Sequence, residues 1–142
     1  CNPSLVIVSL HVATGGIVGS LAGTRGRALL LGLAAHAAGD AVPHQDVASR
    51  RFETLSGFAG LALLAAARGP LDPAVIGAVG ASVPDVEHVL PLPRPGGRKL
   101  FPSHRVRGWH KAGGIPASAQ LVAAGVLLGV LAAPALYGRV GK

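Results

Sequence analysis

Sulfur-containing and aromatic side chains are scarce in this chain of 142 residues, which has one cysteine, no methionine, one tryptophan, one tyrosine and three phenylalanines. A single cysteine, Cys1, excludes a disulfide framework within the chain. Charged residues make up only 13% of the chain, where about 25% is usual in a soluble domain. Half of the residues are hydrophobic, so the chain has too much apolar surface to be intrinsically disordered.

The net charge of +7 raises the question of nucleic-acid binding, in which Lys and Arg neutralise phosphates. The cations lie in short clusters between long uncharged stretches, and the few aromatic residues form no platform on which bases could stack. Such clusters are typical of the flanks of membrane segments. We therefore expect no nucleic-acid partner, and we expect the cations to contact membrane lipids or a phosphate-bearing substrate.

Five apolar segments predict about five helices. Residues 1–24 and 112–138 contain no Asp, Glu, Lys or Arg, and each segment is long enough to cross a bilayer core of about 30 Å. The shorter apolar stretches cover residues 28–43, 54–67 and 73–90. The expected fold is a single all-α domain over residues 1–142, a compact and mostly membrane-embedded helical bundle.

Small residues recur at a spacing of four, Gly15 with Gly19 and Gly77 with Ala81. This spacing allows helices to approach closely, although a chain rich in Gly and Ala also produces such pairs by chance.

Cys1 leaves two interpretations open, a processed lipoprotein with lipid on the cysteine or a chain that starts elsewhere. We favour the second, because a spanning helix needs no lipid anchor.

Histidines and acidic residues are concentrated in or beside the apolar segments, where ionisable groups are costly and usually line a functional interior. His36 and Asp40 are four residues apart, and Asp85 and His88 are three apart, so each pair shares one face of a helix. Helix lengths and alternation predict that these groups converge near one end of the bundle. The set consists of His11, His36, Asp40, His44, Asp46, Asp85, Glu87, His88, His104 and His110.

Neutral imidazoles and carboxylates without thiolates suit a divalent cation such as zinc. The candidates exceed one tetrahedral site, so they predict two metal ions, or one ion with further residues that orient its ligands. An open coordination position lowers the pKa of bound water toward about 7 and makes hydroxide available for hydrolysis. The simpler interpretation remains for each group alone: His11 packs between helices, His36 and Asp40 form a hydrogen-bonded pair, and His104 is an ordinary interfacial residue.

Several motifs resemble those of a family of small bacterial membrane-bound metal-dependent hydrolases. Residues 36–46, HAAGDAVPHQD, resemble the family's H-x-x-x-D-x-x-P-H-x-D motif, and residues 84–88, PDVEH, resemble its P-D-x-D-H motif. His104 with the following Arg resembles a later H-R segment, and His11 with Gly15 resembles an amino-terminal H-x-x-x-G helix. More distantly, H-x-x-G-D is similar to zinc-dependent phospholipase C and the S1/P1 nucleases, which are all-helical phosphodiesterases with a zinc cluster.

The resemblance implies a multi-pass protein of the bacterial inner membrane. It also implies zinc activation of water for attack on a phosphoester or lipid-derived substrate, which the Arg- and Lys-rich loop at residues 94–111 holds. Asp46 and Glu87 are the candidates for the general base, although Glu87 stands where the family has Asp. The implied metal ligands are His11, His36, Asp40, His44, Asp85 and His88, with His104 and His110 as further ligands.

Two other function classes remain open on the sequence alone. One is a membrane protein that binds metal for structure, sensing or transport without catalysis. The other is a helical subunit of a membrane complex, in which the polar residues form hydrogen bonds between helices.

Overall fold

The computed structural model describes residues 8–109, 111 and 113–140, with side chains up to residue 133. Cys1 and the proposed ligand His110 lie outside the described residues. The regular elements of the described part are all helical, so the prediction of an all-α fold is confirmed. They are α1 (Val8–Ser20), α2 (Arg25–Ala41), α3 (Arg50–Arg68), α4 (Pro73–Ser82), α5 (Val86–Val89), α6 (Pro102–Arg105) and α7 (Ala117–Val140).

Three helices begin after a residue whose side chain accepts a hydrogen bond from the first turn: Thr24 before α2, Ser49 before α3 and Asp72 before α4. Asp72 accepts from the backbone N–H of Ala74 at 2.8 Å. Pro73 takes the first position of α4, where its missing N–H leaves no partner unsatisfied. These caps explain why helices start there.

The apolar stretch at residues 73–90 is not one continuous helix. α4 ends at Ser82, a 3-10 turn follows over Val83–Asp85, and the chain continues as the single-turn helix α5. Pro84 has no backbone N–H to donate to the preceding turn, which explains the break. The break places Asp85 and Glu87 on a bent segment at the end of the bundle.

Helix α1 packs against α2, α3, α4 and α7. Glycine residues allow the backbones of α1 and α4 to come into direct contact. A Cβ atom added at Gly15 would lie 2.5 Å from Ala81 Cβ and 2.6 Å from the carbonyl oxygen of Gly77. A Cβ atom added at Gly77 meets Gly19 Cα at 2.7 Å. Of the two interpretations of the four-residue spacing, these contacts favour close helix approach over chance.

The apolar core surrounds α1 and consists mostly of small and branched aliphatic side chains. His11 precedes a core residue of α1 directly in the chain, so the core adjoins the polar groups described below. The buried core residues are Val12, Ala13, Leu64, Ala74, Val75, Ala78, Ala124, Leu128 and Leu131.

The expectation of membrane-spanning helices is wrong for the part of the chain that is described, where no helix is both long and apolar enough to cross a bilayer. α4 has 10 residues. At about 1.5 Å per residue it falls well short of a core of about 30 Å. α3 has 19 residues but begins with Arg50 and Arg51 and carries Glu53 in its first turn. The predictions of a mostly membrane-embedded bundle and of a multi-pass inner-membrane protein are corrected accordingly.

The contact between α1 and α4 can be tested with Gly77→Ala. We expect the free energy of unfolding to fall by about 1–3 kcal/mol, because the new methyl group meets the backbone of α1 and overpacks the contact. Gly125→Ala in α7 is the matched control, since nothing lies within 4 Å of a Cβ added there. In this control we expect the free energy of unfolding to rise by about 0.5–1 kcal/mol, because Ala favours a helix more than Gly does. Equal changes in the two variants, measured by denaturant unfolding, would contradict this packing.

Candidate metal centre

Helix α2 contributes the two side chains at the middle of the polar cluster. His36 and Asp40 are one turn apart, and they are 1% and 0% exposed. The Nε2 atom of His36 lies 3.1 Å from Oδ2 of Asp40. The other ring nitrogen, Nδ1, donates to the carbonyl oxygen of Ala81 at 2.8 Å. A carbonyl can only accept, so this bond leaves a lone pair on Nε2.

Helix α1 brings His11 to the same carboxylate. Its Nε2 atom lies 3.5 Å from Oδ1 of Asp40, and its ring centroid lies 4.3 Å from that of His36. A Cβ atom added at Gly39 meets Cε1 of His11 at 2.8 Å. Gly39 therefore makes room for the imidazole, a role that spacing of His and Asp did not reveal.

The short helix α6 brings His104 to the same carboxylate. Its Nε2 atom lies 3.4 Å from Oδ2 of Asp40 and 3.2 Å from Nε2 of His36. Its Nδ1 atom donates to Oε1 of Glu87 at 2.6 Å. The other carboxylate oxygen of Glu87 accepts the backbone N–H of Leu100 at 2.6 Å. Glu87 therefore fixes both the tautomer of His104 and the loop that precedes α6.

Three acceptor atoms thus form a buried triangle: Nε2 of His36, Nε2 of His104 and Oδ2 of Asp40. Its edges measure 3.1, 3.2 and 3.4 Å. A tetrahedral ion with bonds of about 2.0–2.1 Å has ligand atoms about 3.3 Å apart, so the triangle has the size of one tetrahedral face. Neither oxygen of Asp40 takes part in a hydrogen bond of acceptable geometry among the described residues. The donor set therefore fits a divalent metal ion.

The bent segment after α4 adds a second carboxylate, Asp85, which is 5% exposed. Its Oδ1 atom lies 3.7 Å from Nε2 of His104, and its Oδ2 atom lies 3.8 Å from Nδ1 of His36. His88, one turn of chain further on, has its Nε2 atom 3.2 Å from Nδ1 of His104. Asp85 and His88 therefore extend the cluster on the side of His104.

Seven of the ten predicted site residues are brought together. These residues form three groups, and within each group the potential ligand atoms lie within 4.8 Å of one another. The first and second groups share His36, and the second and third share His104. The groups are His11, His36 and Asp40; His36, Asp85 and His104; and Glu87, His88 and His104.

His44 and Asp46 do not belong to these groups of described residues. His44 Nε2 lies 3.6 Å from Oδ1 of Asp46, and His44 Nδ1 donates to the carbonyl oxygen of Val42 at 2.6 Å. The backbone of His44 forms an isolated bridge with Ile115. These contacts connect the chain after α2 to the segment before α7.

The charges of the cluster favour a bound cation. Burial opposes ionisation of Asp40, but His104, His11 and His36 hold the pKa of this carboxyl well below its usual range. Burial lowers the pKa of His36, but the nearby Asp40 and Asp85 carboxylates outweigh it and raise this pKa. Burial, together with the charge of Lys99, lowers the pKa of His88 to about 4. His88 is therefore a neutral imidazole at pH 7, the form that binds metals.

Glu53 is a buried acid that the sequence analysis missed. It lies in the first turn of α3, is 2% exposed, and accepts the backbone N–H of Val8 at 2.9 Å. Burial raises the pKa of Glu53 to about 7, with a contribution from the charges of Asp85 and Asp46. No regular spacing to the other acids marked this residue in the sequence. Its signal was an acid directly before the apolar stretch at residues 54–67.

A cationic cavity of about 450 Å³ lies beside the cluster, on the loop between α5 and α6. Arg98, Lys99 and Arg105 line it. Burial lowers the pKa of Lys99, which the charges of Glu87 and Asp40 partly offset. These interactions place Lys99 within electrostatic reach of the carboxylates in the cluster.

Comparison with known proteins found no matching family model, no matching curated protein and no matching solved structure. The resemblance of the motifs to membrane-bound metal-dependent hydrolases therefore stays a prediction.

Glu53 makes stability depend on pH. Its pKa rises from 4.5 to about 7 on folding, so the folded chain binds more protons than the unfolded chain between these values, and stability falls as the pH rises through them. The loss is at most about 3 kcal/mol. In Glu53→Gln, the amide stays neutral and its oxygen still accepts a hydrogen bond from the Val8 backbone N–H. We therefore expect the free energy of unfolding of this variant to depend less on pH. Chemical unfolding of the metal-free protein at about pH 5 and about pH 8 measures this. An unchanged pH dependence in the variant would contradict it.

Proposed function

We propose that this protein is a metal-dependent hydrolase with a zinc ion at the cluster. The triangle formed by His36, His104 and Asp40 carries the proposal, because three buried acceptor atoms at tetrahedral spacing repel one another unless a proton or a metal ion lies among them. Two imidazoles and one carboxylate are a typical ligand set for catalytic zinc, which keeps one further position open.

The residues around the triangle have distinct proposed roles. The Ala81 carbonyl and Glu87 orient the two imidazoles by accepting from their Nδ1 atoms. His11 and Asp85 lie beside the triangle, where either one as a fourth ligand would close the site and favour a non-catalytic metal protein. When bound, zinc lowers the pKa of a coordinated water molecule toward about 7 and so supplies hydroxide for hydrolysis.

For the general base we favour Asp85 over Glu87. Both carboxylate oxygens of Glu87 already accept hydrogen bonds, from His104 and from the Leu100 backbone. Oδ2 of Asp85 accepts none from the described residues. Asp85 is therefore the better placed of the two to take a proton. Asp46 lies 3.6 Å from His44 and belongs to none of the three groups of described residues, so it is a weaker candidate.

A phosphoester is the substrate class that fits the neighbouring charges. Arg98, Lys99 and Arg105 line one cavity, and Arg and Lys side chains bind phosphate oxygens. Hydrolysis also needs stabilisation of the negative charge that develops on the phosphoryl group, which cations beside the metal provide.

Zinc binding is the first test. We expect Asp40→Asn and His36→Gln to weaken zinc binding by more than about 100-fold, because loss of an outer ligand partner alone costs about 10–100-fold. Elemental analysis of the purified protein and titration against a chelator measure this. Asp72→Asn is the control, since Asp72 caps the far end of α4. Wild-type protein without metal affinity, or equal affinity in Asp40→Asn, would overturn the metal site.

Hydrolysis of a panel of phosphodiesters and phospholipids by the zinc-loaded protein then tests catalysis.

Glu87→Gln separates positioning from base catalysis. A positioning role predicts zinc affinity about 10–100-fold lower, because His104 loses its charged partner. A general-base role predicts normal zinc affinity with a lower kcat. Zinc titration and steady-state kinetics on the same preparation give both values. Normal affinity in this variant would contradict the positioning role.

A further inference from the structure

Residues 91–109, here called the strap, follow α5 and carry His104. The regular structure of the strap is limited to a 3-10 turn at Pro95–Gly97 and the four-residue helix α6. None of the apolar core residues of the described chain lies in it. The strap is therefore held on the bundle mainly by polar contacts rather than by a packed apolar face.

At one end of the strap, these polar contacts converge on Glu87. Its carboxylate accepts hydrogen bonds from the Leu100 backbone N–H and from Nδ1 of His104, both at 2.6 Å. Its backbone carbonyl oxygen accepts a hydrogen bond from the guanidinium of Arg94 at 3.0 Å. Each of these bonds links the strap to the short helix that precedes it.

At the other end of the strap lies Trp109, the only tryptophan of the chain. Its Nε1–H donates to the carbonyl oxygen of Ala37 at 2.8 Å. Ala37 directly follows His36 on α2. The Trp109 bond therefore attaches the strap to α2 beside one of the proposed zinc ligands.

The two triangle residues outside the strap, His36 and Asp40, lie on α2 and are almost completely buried. An ion or a water molecule can reach their ligand atoms only if part of the structure moves aside. α1, α2 and α4 are in direct backbone contact at Gly15, Gly32 and Gly80, and such packed contacts do not open in small steps. The strap contributes nothing to the apolar core, so it is the segment that opens at the lowest cost in free energy.

Closing the strap brings the third acceptor atom into the triangle. Nε2 of His104 then lies 3.2 Å from Nε2 of His36 and 3.4 Å from Oδ2 of Asp40. Without a proton or a metal ion among them, these lone pairs oppose closure. A metal ion has all three ligands only when the strap is closed, so binding of the ion and closure of the strap stabilise each other.

We propose that the strap opens to admit the metal ion and closes when His104 completes the ligand set. Trp109 is the positioning residue that holds the closed strap against α2. The inference rests on the proposed function for the presence of the metal site, and it adds how that site is reached and closed.

Limited proteolysis with trypsin tests closure, because Arg105 and Arg107 of the strap are exposed. Protein with and without zinc is compared at about pH 8, above the usual pKa of imidazole. We expect zinc to slow cleavage after Arg105 and Arg107 by more than about tenfold, because cleavage follows the population of the open strap. Arg50 and Arg51 are exposed at the start of α3 and serve as the internal control. Cleavage there should not depend on zinc.

Trp109→Phe removes the bond to Ala37 without removing a metal ligand. We expect zinc affinity to fall about 2–10-fold, the effect of one hydrogen bond, and the zinc-loaded strap to be cleaved faster. The free energy of unfolding of the metal-free variant should equal that of the wild type, because the strap contributes no core residue. Phe52→Leu is the matched control, since Phe52 is 45% exposed against 37% for Trp109 but lies on α3. This control should leave zinc affinity unchanged.

Titration against a chelator on the same samples shows whether zinc is bound. Bound zinc with unchanged cleavage after Arg105 would overturn closure of the strap and leave the metal site. Wild-type protein that binds no zinc overturns the metal site and, with it, metal-dependent closure. Equal zinc affinity in Trp109→Phe and wild type contradicts the positioning role of Trp109. A large loss of unfolding free energy in metal-free Trp109→Phe contradicts it as well, because Trp109 would then support the fold as a whole.

Discussion

Three buried acceptor atoms that face one another impose the strongest constraint on this structure. Nε2 of His36, Nε2 of His104 and Oδ2 of Asp40 lie 3.1–3.4 Å apart. The Ala81 carbonyl and the Glu87 carboxylate accept hydrogen bonds from the Nδ1–H groups of His36 and His104. The lone pairs of the two Nε2 atoms therefore point into the same space. Burying such groups without a partner costs several kcal/mol, on the order of 2–7 for one neutral polar group. A cation among them removes that cost, and the proposed chemistry depends on it.

The bundle holds this triangle by close contact between helix backbones. α1 and α4 touch through Gly15 and Gly77, and a Cβ atom added at Gly80 of α4 meets the backbone of Leu29 in α2. The Ala81 carbonyl at the end of α4 therefore comes within reach of His36 on α2. Since packed helices do not deform continuously, the position of the imidazole follows from small residues within one turn of Ala81.

The structure changes the predicted lengths of the helices and adds the partners of the acidic residues. Apolar composition predicted spanning helices, but Pro84 breaks the fourth apolar segment, and Arg50 and Arg51 begin the third helix. Glu87 stays a candidate base from its motif, and the structure adds that its two oxygens accept hydrogen bonds from His104 and from the Leu100 backbone. Some of the apolar surface that suggested a bilayer forms the walls of a groove between α3 and the α4–α5 segment.

The sequence by itself determined the all-α fold, because long apolar stretches with few β-branched runs and clear caps such as Asp72 define helices locally. It also determined that His36 and Asp40 share a face, since four residues make about one turn. Only the tertiary structure decided that His104, 64 residues beyond Asp40, completes the triangle, and that Asp46 does not join it. Glu53 and Gly39 gain their roles in the same way. Contacts between distant segments depend on how helices pack, and helix packing is set by many residues at once rather than by any local spacing.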